Sequence, residues 1–335
     1  SGPFICRACG AADEVLRISR CVGGGSVSFG GHAGRTHLPE WIRGRKIRLG
    51  ELHEIKRRMR SGGLHTVCEE ARCPNRSECF AHGTATFLIN GRVCTRNCSY
   101  CSIANGRPQP VDPDEPRQLL ETVVAMNLDH VVITAVDRDD LPDGGAAGFV
   151  GCINGLKGLD RPPKIEVLTP DFRGDVVAVD GIIDAGPDVY NHNVETVPSQ
   201  YRRVRRSGRY EWALEVLRRV AERSPEMLRK SGMMVGLGET EDEVIGVLAD
   251  LAAAGCQLVT IGQYLQPTPE QVPVERYWHP DEFRALETAG RELGLEVFAG
   301  PFVRSSYRAE EAFLRVVGRT SARPSPNRAP RGNPL

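Results

Sequence analysis

Six cysteines between positions 68 and 101 are the residues of this 335-residue chain best suited to chemistry. They form a first triplet, Cys68, Cys73 and Cys79, and a second triplet, Cys94, Cys98 and Cys101. With only two to five residues between neighbours, one short loop can direct three thiolates at a single inorganic centre. A closed zinc site takes four ligands, and a simple [4Fe–4S] cluster takes four thiolates. Each triplet is one ligand short, so each centre must find its fourth partner elsewhere.

Disulfides and zinc are the alternative uses of these cysteines. Disulfides require an oxidising compartment, and no segment looks like a secretory signal. Zinc is an alternative for the first triplet, because His65 or His82 can complete a Cys3His site, but it leaves the second triplet without an evident fourth ligand. Cys6 and Cys9 form a lone C-x2-C, which we interpret as a non-ligand because two thiols close no tetrahedral site, and Cys21 follows.

The composition limits the function classes. The chain has 43 basic and 43 acidic residues, so its formal neutrality argues against a polyanionic partner such as nucleic acid. No apolar run reaches the length of a membrane span. Many apparently unpaired thiols indicate a reducing compartment. These features predict a soluble, intracellular and oxygen-sensitive protein with room for one barrel-sized domain or two smaller ones.

Strand and helix patterns alternate along the middle of the chain. Strand patterns occupy residues 85–89, 131–133, 165–168, 188–190, 232–235 and 258–261. Helical patterns occupy residues 116–126, 210–223, 241–254 and 280–293. This alternation predicts an α/β fold with a parallel sheet, and six units rather than eight predict an incomplete (β/α)6 TIM-type barrel. The helix between the second and third strands is expected to be poor, because glycines interrupt residues 147–160.

The loops after the strands should carry the active site, since catalytic residues of such barrels lie at the carboxyl ends of the strands. The second triplet follows the first strand. Polar or glycine candidates for cofactor binding follow later strands: Asp137, Arg138, Asn191, Asn193, Gly236, Gly238, Glu239 and Gln263. Charged members suit a zwitterion, and the glycines allow close approach of the backbone. The neutral donors and acceptors of Asn191, His192 and Asn193 suit ribose hydroxyls, with a structural hydrogen bond as the equal alternative for His192.

The chain divides into five predicted segments. Residues 1–37 are irregular, residues 38–83 carry the first triplet, and residues 84–296 form the barrel. Residues 297–317 form a C-terminal segment, and residues 318–335 are a tail predicted to be disordered. Within the second segment, residues 50–60 predict a helix whose basic run we interpret as a solvated face.

The chain resembles the lipoyl synthase family over residues 38–307. The matching motifs are residues 67–75, 78–79, 83–87, 94–98, 136–145, 168–174, 191–193, 236–239, 261–267 and 304–307. The second triplet, with Tyr100 before its last cysteine, resembles only the general signature of radical S-adenosylmethionine (SAM) enzymes. The first triplet together with Arg304-Ser305-Ser306-Tyr307 is far more specific.

The resemblance implies two [4Fe–4S] clusters with different tasks. The second triplet would hold the cluster whose open iron binds SAM and which makes a 5′-deoxyadenosyl radical. The first triplet, with Ser306 as fourth ligand, would hold an auxiliary cluster that donates sulfur. The family inserts this sulfur at carbons 6 and 8 of an octanoyl chain on a lysine of a lipoyl carrier domain. An unactivated C–H bond offers nothing to acid–base catalysis, so a cofactor radical carries that step.

The resemblance also suggests partners. These are carrier domains of the 2-oxoacid dehydrogenase E2 or glycine cleavage H protein type, a one-electron donor such as ferredoxin or flavodoxin, and an iron–sulfur carrier for cluster repair. We expect a bacterial cytoplasmic location. The mitochondrial matrix or a plastid is the alternative, because the sequence starts at Ser1 rather than Met.

Rival functions and departures from the family stay open at this point. The rivals are another radical SAM sulfurtransferase, of the biotin synthase-like or methylthiolating kind, and a non-catalytic iron–sulfur or zinc module. Ala135 stands where the family usually has serine, and Phe298-Ala299 replaces its usual Ala-Ser. The glycine-broken residues 147–160 predict impaired local folding.

Overall fold

The computed structural model describes residues 38–43, 65–66, 84–306 and 309–322. The first triplet, the three N-terminal cysteines and the helix predicted over residues 50–60 lie outside these ranges. The helices are α1 (Glu40–Arg43), α2 (Glu115–Met126), α3 (Ala146–Lys157), α4 (Val176–Ala185), α5 (Pro198–Val204), α6 (Tyr210–Arg223), α7 (Glu241–Ala253), α8 (Pro280–Glu292) and α9 (Ala309–Ala322). The strands are β1 (His65–Thr66), β2 (Thr84–Ile89), β3 (His130–Ala135), β4 (Lys164–Leu168), β5 (Val189–Asn191), β6 (Leu228–Val235), β7 (Leu258–Gln263) and β8 (Glu296–Gly300).

The strands form one sheet in chain order. β1 runs antiparallel to β2, and every later neighbour pair is parallel. Among the described residues β8 does not pair back with β2, so seven parallel strands form an open, incomplete barrel. The predicted fold class is confirmed. The six predicted strands correspond to β2 through β7, and β8 is an additional strand whose last three residues are only half-buried.

Burial on both faces explains the strand sequences. Val131, Val132 and Ile133 follow one another in β3, and all three are inaccessible to solvent. Continuous apolar runs of this kind are typical of parallel strands covered by helices. On α6 the buried Ala213, Leu217 and Val220 recur at helical spacing and cover the sheet. With the outer face occupied by helices, the carboxyl ends of the strands remain available for a site.

The glycine-rich segment after β3 is a regular helix, α3, so the expectation of a poor helix and impaired local folding is wrong. A Cβ atom at Gly148 would lie 2.3 Å from Asn90 Oδ1, and one at Gly155 would lie 2.7 Å from Leu120 Cδ1. Glycine therefore permits a close approach between α3 and its neighbours. The helix buries five apolar side chains, among them Phe149, and this burial compensates for the low helix propensity of glycine.

Helix α9 packs at the amino ends of the strands. It continues to Ala322, so the predicted disorder is wrong for residues 318–322, while residues 323–335 lie outside the described ranges. One apolar cluster joins two residues of α9 to the first residues of β5, β6 and β7: Ala312, Val316, Val189, Leu228 and Leu258. Within the described part of the chain no helix combines the length and apolar character needed to cross a membrane.

Candidate active site

A cavity of about 550 Å³ opens at the carboxyl ends of the parallel strands. All three cysteines of the second triplet line it, on the loop that follows β2. Two backbone hydrogen bonds close this loop: Cys94 N–H donates to Ala104 O at 2.8 Å, and Gly106 N–H donates to Cys94 O at 3.0 Å. The fold thus brings the three thiols into one chamber, as their spacing predicts.

The surroundings of these thiols fit iron–sulfur ligation. Arg96 N–H donates to Cys94 Sγ at 3.4 Å, and Ile103 N–H donates to Cys101 Sγ at 3.5 Å. Such bonds to sulfur are typical of iron–sulfur sites and tune the cluster. Burial raises the pKa of Cys94 to about 11 and that of Cys98 to about 12, so the free thiols are protonated at neutral pH. Metal coordination removes those protons.

Nowhere in the described ranges do three His, Cys, Asp or Glu side chains form a site for a single metal ion. The three thiols of the second triplet all line one chamber of about 550 Å³.

Arg96, inside the second triplet, ties the cysteine loop to the two neighbouring loops. Its guanidinium makes a two-point contact with Asp139, with both N···O distances 2.8 Å, and donates to Asp171 at 2.9 Å. It also lies 3.2 Å from Asp137 Oδ1. Its side chain is 2% exposed. Bidentate arginine–carboxylate contacts have defined geometry, so Arg96 orients the cysteine loop against the ends of β3 and β4.

A second buried arginine faces the cavity from the loop after α5. Arg205 donates to Asn193 O at 3.1 Å and to Asp171 Oδ2 at 3.3 Å, and it lines the chamber. Burial alone would raise the pKa of Asp171, but Arg205 and Arg96 hold it below its ordinary value. The guanidinium of Arg205 is therefore held beside an anionic partner and within reach of a ligand carboxylate.

Asn193 connects this region to the C-terminal segment. Its Nδ2 donates to Glu195 Oε1 at 3.2 Å, while its Oδ1 accepts from Ser305 Oγ at 2.9 Å. Ser306 lines the same cavity as the second triplet. Burial raises the pKa of Glu195, and Arg205 opposes this shift. Carboxylate, amide and guanidinium groups are thus assembled on one wall, which suits a zwitterionic ligand.

His192 also faces the cavity. Its Nδ1 lies 2.8 Å from Thr169 O, and its Nε2 has no hydrogen-bond partner in the described part of the chain. Burial lowers the pKa of His192 to about 4, with Arg205 acting in the same direction. The imidazole is therefore neutral at pH 7, with one nitrogen available to a ligand.

The predicted cofactor-binding residues fall into two groups. Three of them line the cavity: Asp137, Asn193 and Gln263. Five do not: Arg138, Asn191, Gly236, Gly238 and Glu239. Arg138 donates to Asp140 and to Asn90 O, and Asn191 donates to the buried Glu166. Binding of SAM stays a prediction for all eight, and the contacts observed for these five are structural.

Glu239 holds the turn after β6. Its carboxylate accepts from Gly236 N–H at 2.5 Å, Leu237 N–H at 2.9 Å and Trp278 Nε1 at 2.9 Å. Gly236 has φ of 101°, and a Cβ there would lie 2.1 Å from Gln263 Nε2. Glycine is required here because the turn needs a left-handed residue and a close approach. The side chain of Gln263 is itself engaged by Trp278 N–H at 2.8 Å.

Three residues of the site have no role in the sequence prediction: Arg96, Glu195 and Arg205. Arg96 lies inside the matching motif of residues 94–98, so its position is a usable signal. No local pattern distinguishes Arg205 from the arginines on either side of it. Only the fold directs its side chain inward.

Comparison with known proteins identifies the family. Residues 88–251 match the family model described as the radical SAM superfamily, and residues 25–73 match the N-terminal domain of lipoyl synthase of the Radical_SAM family. The curated lipoyl synthase of Thioalkalivibrio sulfidiphilus is 50% identical over 309 residues, covering 92% of this chain and 94% of that protein. The chain belongs to the lipoyl synthase family. The lipoyl synthase of Methylococcus capsulatus is also 50% identical, over 84% of this chain and 88% of its own length.

Solved structures show the same fold. SuiB of Streptococcus suis bound to S-adenosylmethionine matches with a TM-score of 0.50 and 10% identity, over 76% of this chain and 61% of that chain. HydG, a maturase of the [FeFe]-hydrogenase, matches with a TM-score of 0.50 and 15% identity, over 68% and 59%. As a member of the lipoyl synthase family, the protein is a sulfur-inserting radical SAM enzyme. The family implies a [4Fe–4S] cluster and SAM, and the second triplet fits that cluster.

Proposed function

We propose that this enzyme inserts sulfur at carbons 6 and 8 of an octanoyl chain attached to a lysine of a lipoyl carrier domain. The donor of both sulfur atoms would be an auxiliary [4Fe–4S] cluster, consumed as a substrate and held by the first triplet and Ser306. Membership of the lipoyl synthase family supports the reaction class. The position of the two neighbouring serines supports the ligand assignment.

Ser306 is the observation that carries the proposal. It lines the same cavity as the second triplet, although more than 200 positions separate them in the sequence (306 against 101). The neighbouring hydroxyl, Ser305 Oγ, donates to Asn193 Oδ1 at 2.9 Å and is thereby engaged with the wall of the site. A sulfur source held by Ser306 would stand within the chamber that the second triplet lines.

The chain's own groups bind and orient the reactants. When bound, the radical SAM cluster and SAM supply a primary carbon radical that removes hydrogen from an unactivated carbon. Arg205 offers its guanidinium to the SAM carboxylate, and Asp137 and Asn193 offer acceptors and donors to its other polar groups. Positioning of this kind accounts for much of the catalysis expected of the protein.

The remaining walls suit an alkyl chain. Apolar side chains from several strand-end loops line the same cavity: Leu88, Ile103, Met233, Met234, Leu265 and Val303. An octanoyl chain gains stability by leaving water for such walls, at about 0.8 kcal/mol for each buried methylene. Displacement of water also protects a reactive radical from side reactions.

The proposal extends to partners and location. Carrier domains of the E2 or H protein type, a ferredoxin or flavodoxin as electron donor, and an iron–sulfur carrier for cluster repair fit this chemistry. A bacterial cytoplasm would supply the reducing conditions that the thiols need. Each partner is tested by reconstituting the reaction with that component in purified form.

The test is anaerobic reconstitution of the enzyme followed by reaction with SAM, a reductant and an octanoylated carrier domain. Mass spectrometry should detect lipoyl product, and iron and sulfide should each approach about eight per chain if two clusters form. Ser306→Ala should abolish sulfur insertion while SAM is still cleaved, and Ser305→Ala should be milder. Ser306→Cys should retain iron and lose turnover, because thiolate binds such iron more strongly. A Ser306→Ala enzyme with wild-type product formation would refute the ligand role.

A further inference from the structure

Four exposed arginines lie beside the cavity: one is in the turn after β4, one is in α5 and two are on the loop between α5 and α6. We call them the basic rim: Arg173, Arg202, Arg206 and Arg209. None of the four forms an ion pair with an acidic residue of the described part of the chain. Residues 201–209 contain no Asp or Glu at all. The chain has a formal net charge of zero, so these arginines form a local excess of positive charge within a neutral protein.

The loops that carry the rim are tied to each other at the wall of the site. Arg205 Nη2 lies 3.3 Å from Asp171 Oδ2, which links the loop after α5 to the loop after β4. Arg205 lines the cavity, and Asp171 follows the cavity residue Pro170. Arg206 comes directly after Arg205, and Arg173 comes two residues after Asp171. Arg173 and Arg206 therefore lie next in the chain to the wall of the chamber, and Arg202 lies three positions before Arg205.

A turn with left-handed backbone conformations directs the side chain of Arg173 to solvent. Phe172 and Arg173 have φ values of 45° and 55°, and Gly174 follows with φ of 82°. Two consecutive non-glycine residues in the left-handed region are costly, and such strain is often associated with function. Asp171 Oδ1 accepts from Arg173 N–H at 3.0 Å and stabilises this turn. Phe172 is consequently buried, while Arg173 is directed to solvent.

One tryptophan joins the two parts of the rim. A Cβ at Gly174 would lie 3.0 Å from Trp212 Nε1, so the turn of Arg173 rests against this ring. The guanidinium of Arg209 stacks over the same ring at 4.8 Å from its centre. The ring of Trp212 thus contacts both the turn that carries Arg173 and the side chain of Arg209, and the stacked Arg209 stays exposed.

We propose that the basic rim docks an acidic face of the octanoylated carrier domain. This inference rests on the proposed function: the octanoyl-lysine enters the cavity while its folded domain stays outside and meets the border. A folded protein domain compensates four such arginines with carboxylates, since like charges repel and neutral groups leave the arginines uncompensated. Long-range attraction of this kind accelerates encounter and weakens as salt is added.

Charge reversal of Arg202→Glu together with Arg206→Glu tests the rim in the anaerobically reconstituted full chain. The control is Arg161→Glu with Arg218→Glu, which changes the net charge equally at exposed arginines paired with Asp129 and Glu215. Two substrates are compared: an octanoylated acidic carrier domain, and a short octanoyl-lysyl peptide without acidic residues. Binding of the carrier domain is also measured directly by calorimetric titration.

The rim variant should raise KM for the domain about tenfold at low salt with little change in kcat. Its KM for the peptide and its rate of SAM cleavage should match wild type, and the tenfold difference should shrink in about 0.5 M salt. An unchanged KM for the domain, an equal rise with the peptide, or an equal effect of the control pair would overturn the proposal. Preferential loss of nucleic-acid binding would also overturn it. A wild-type enzyme that binds the domain but forms no lipoyl product would instead refute the proposed function.

Discussion

Replacement of Lys230 by methionine removes the cation of a fully buried ion pair. Lys230 Nζ lies 2.9 Å from Glu166 Oε1 and 3.2 Å from Oε2, and neither side chain is more than 1% exposed. Burial alone would raise the pKa of Glu166, but Lys230 and His130 lower it to about 2. Loss of the ammonium group would leave a charged or newly protonated carboxyl inside the barrel.

The expected cost follows from that geometry. Removal of one partner of a buried pair destabilises a protein by about 3–5 kcal/mol, because the other charge is left uncompensated. At about 2–4 °C per kcal/mol for domains of 150–250 residues, the melting temperature should fall by roughly 6–20 °C. Glu166→Gln in the Lys230→Met background should recover part of the loss, since no charge then remains buried.

The stabilisation by the Glu166–Lys230 pair changes with pH in a defined direction. Because the folded-state pKa of Glu166 lies below its ordinary value of 4.5, its stabilising contribution is present above about pH 4.5. It is lost as the pH falls through about 2. The difference in stability between wild type and Lys230→Met should therefore be largest near neutral pH and should narrow in acid.

Denaturant unfolding monitored by circular dichroism, repeated between pH 2 and 7, measures the loss of stability and its dependence on pH. Lys164→Met is the matched control, because Lys164 pairs with Asp188 at 2.8 Å with a half-exposed side chain. That surface pair should contribute less than about 1 kcal/mol. A Lys230→Met protein that loses less than the control, or a double variant less stable than the single one, would refute the reasoning.

Three further outcomes are expected. Alanine at all three positions of the second triplet should halve the iron content and abolish reductive SAM cleavage. Alanine at all three positions of the first triplet should also halve the iron content but leave 5′-deoxyadenosine formation intact. Chromatographic detection of 5′-deoxyadenosine distinguishes the two variants. Asn193→Ala should weaken SAM binding in calorimetry, while Glu239→Ala should chiefly lower unfolding stability by about 1–3 kcal/mol, because three N–H donors lose their acceptor. Weaker SAM binding in Glu239→Ala without a stability loss would assign Glu239 to the ligand instead. Gly148→Ala should lower the free energy of unfolding by about 1–3 kcal/mol, because its Cβ would collide with Asn90. Gly181→Ala should leave the stability unchanged or raise it, because no atom lies within 4 Å of the added Cβ. Thermal unfolding measures both.

The local sequence was sufficient to predict the features of this protein that depend on the spacing of nearby residues. Three thiols within eight positions, Cys94 to Cys101, converge on one chamber because the short loop between them leaves few alternatives. The alternation of apolar strands with amphipathic helices predicted the open parallel barrel, since burial on both faces requires continuous apolar strands. Family motifs then linked this chemistry to sulfur insertion, and comparison with relatives confirmed the family.

Tertiary structure decided the features that depend on residues far apart in the chain. The glycines of α3 predict a broken helix locally, but close contacts with Asn90 and Leu120 make glycine the residue that fits. Glu239 is a predicted ligand, and the tertiary structure adds that its carboxylate accepts hydrogen bonds from Gly236 N–H and Leu237 N–H in the turn after β6. Arg205 is one of several nearby arginines, and only packing turns it inward while Arg202 and Arg206 remain exposed. The orientation of a charged side chain depends on the partners that the fold places beside it. The adjacent sequence does not reveal which residues those partners are.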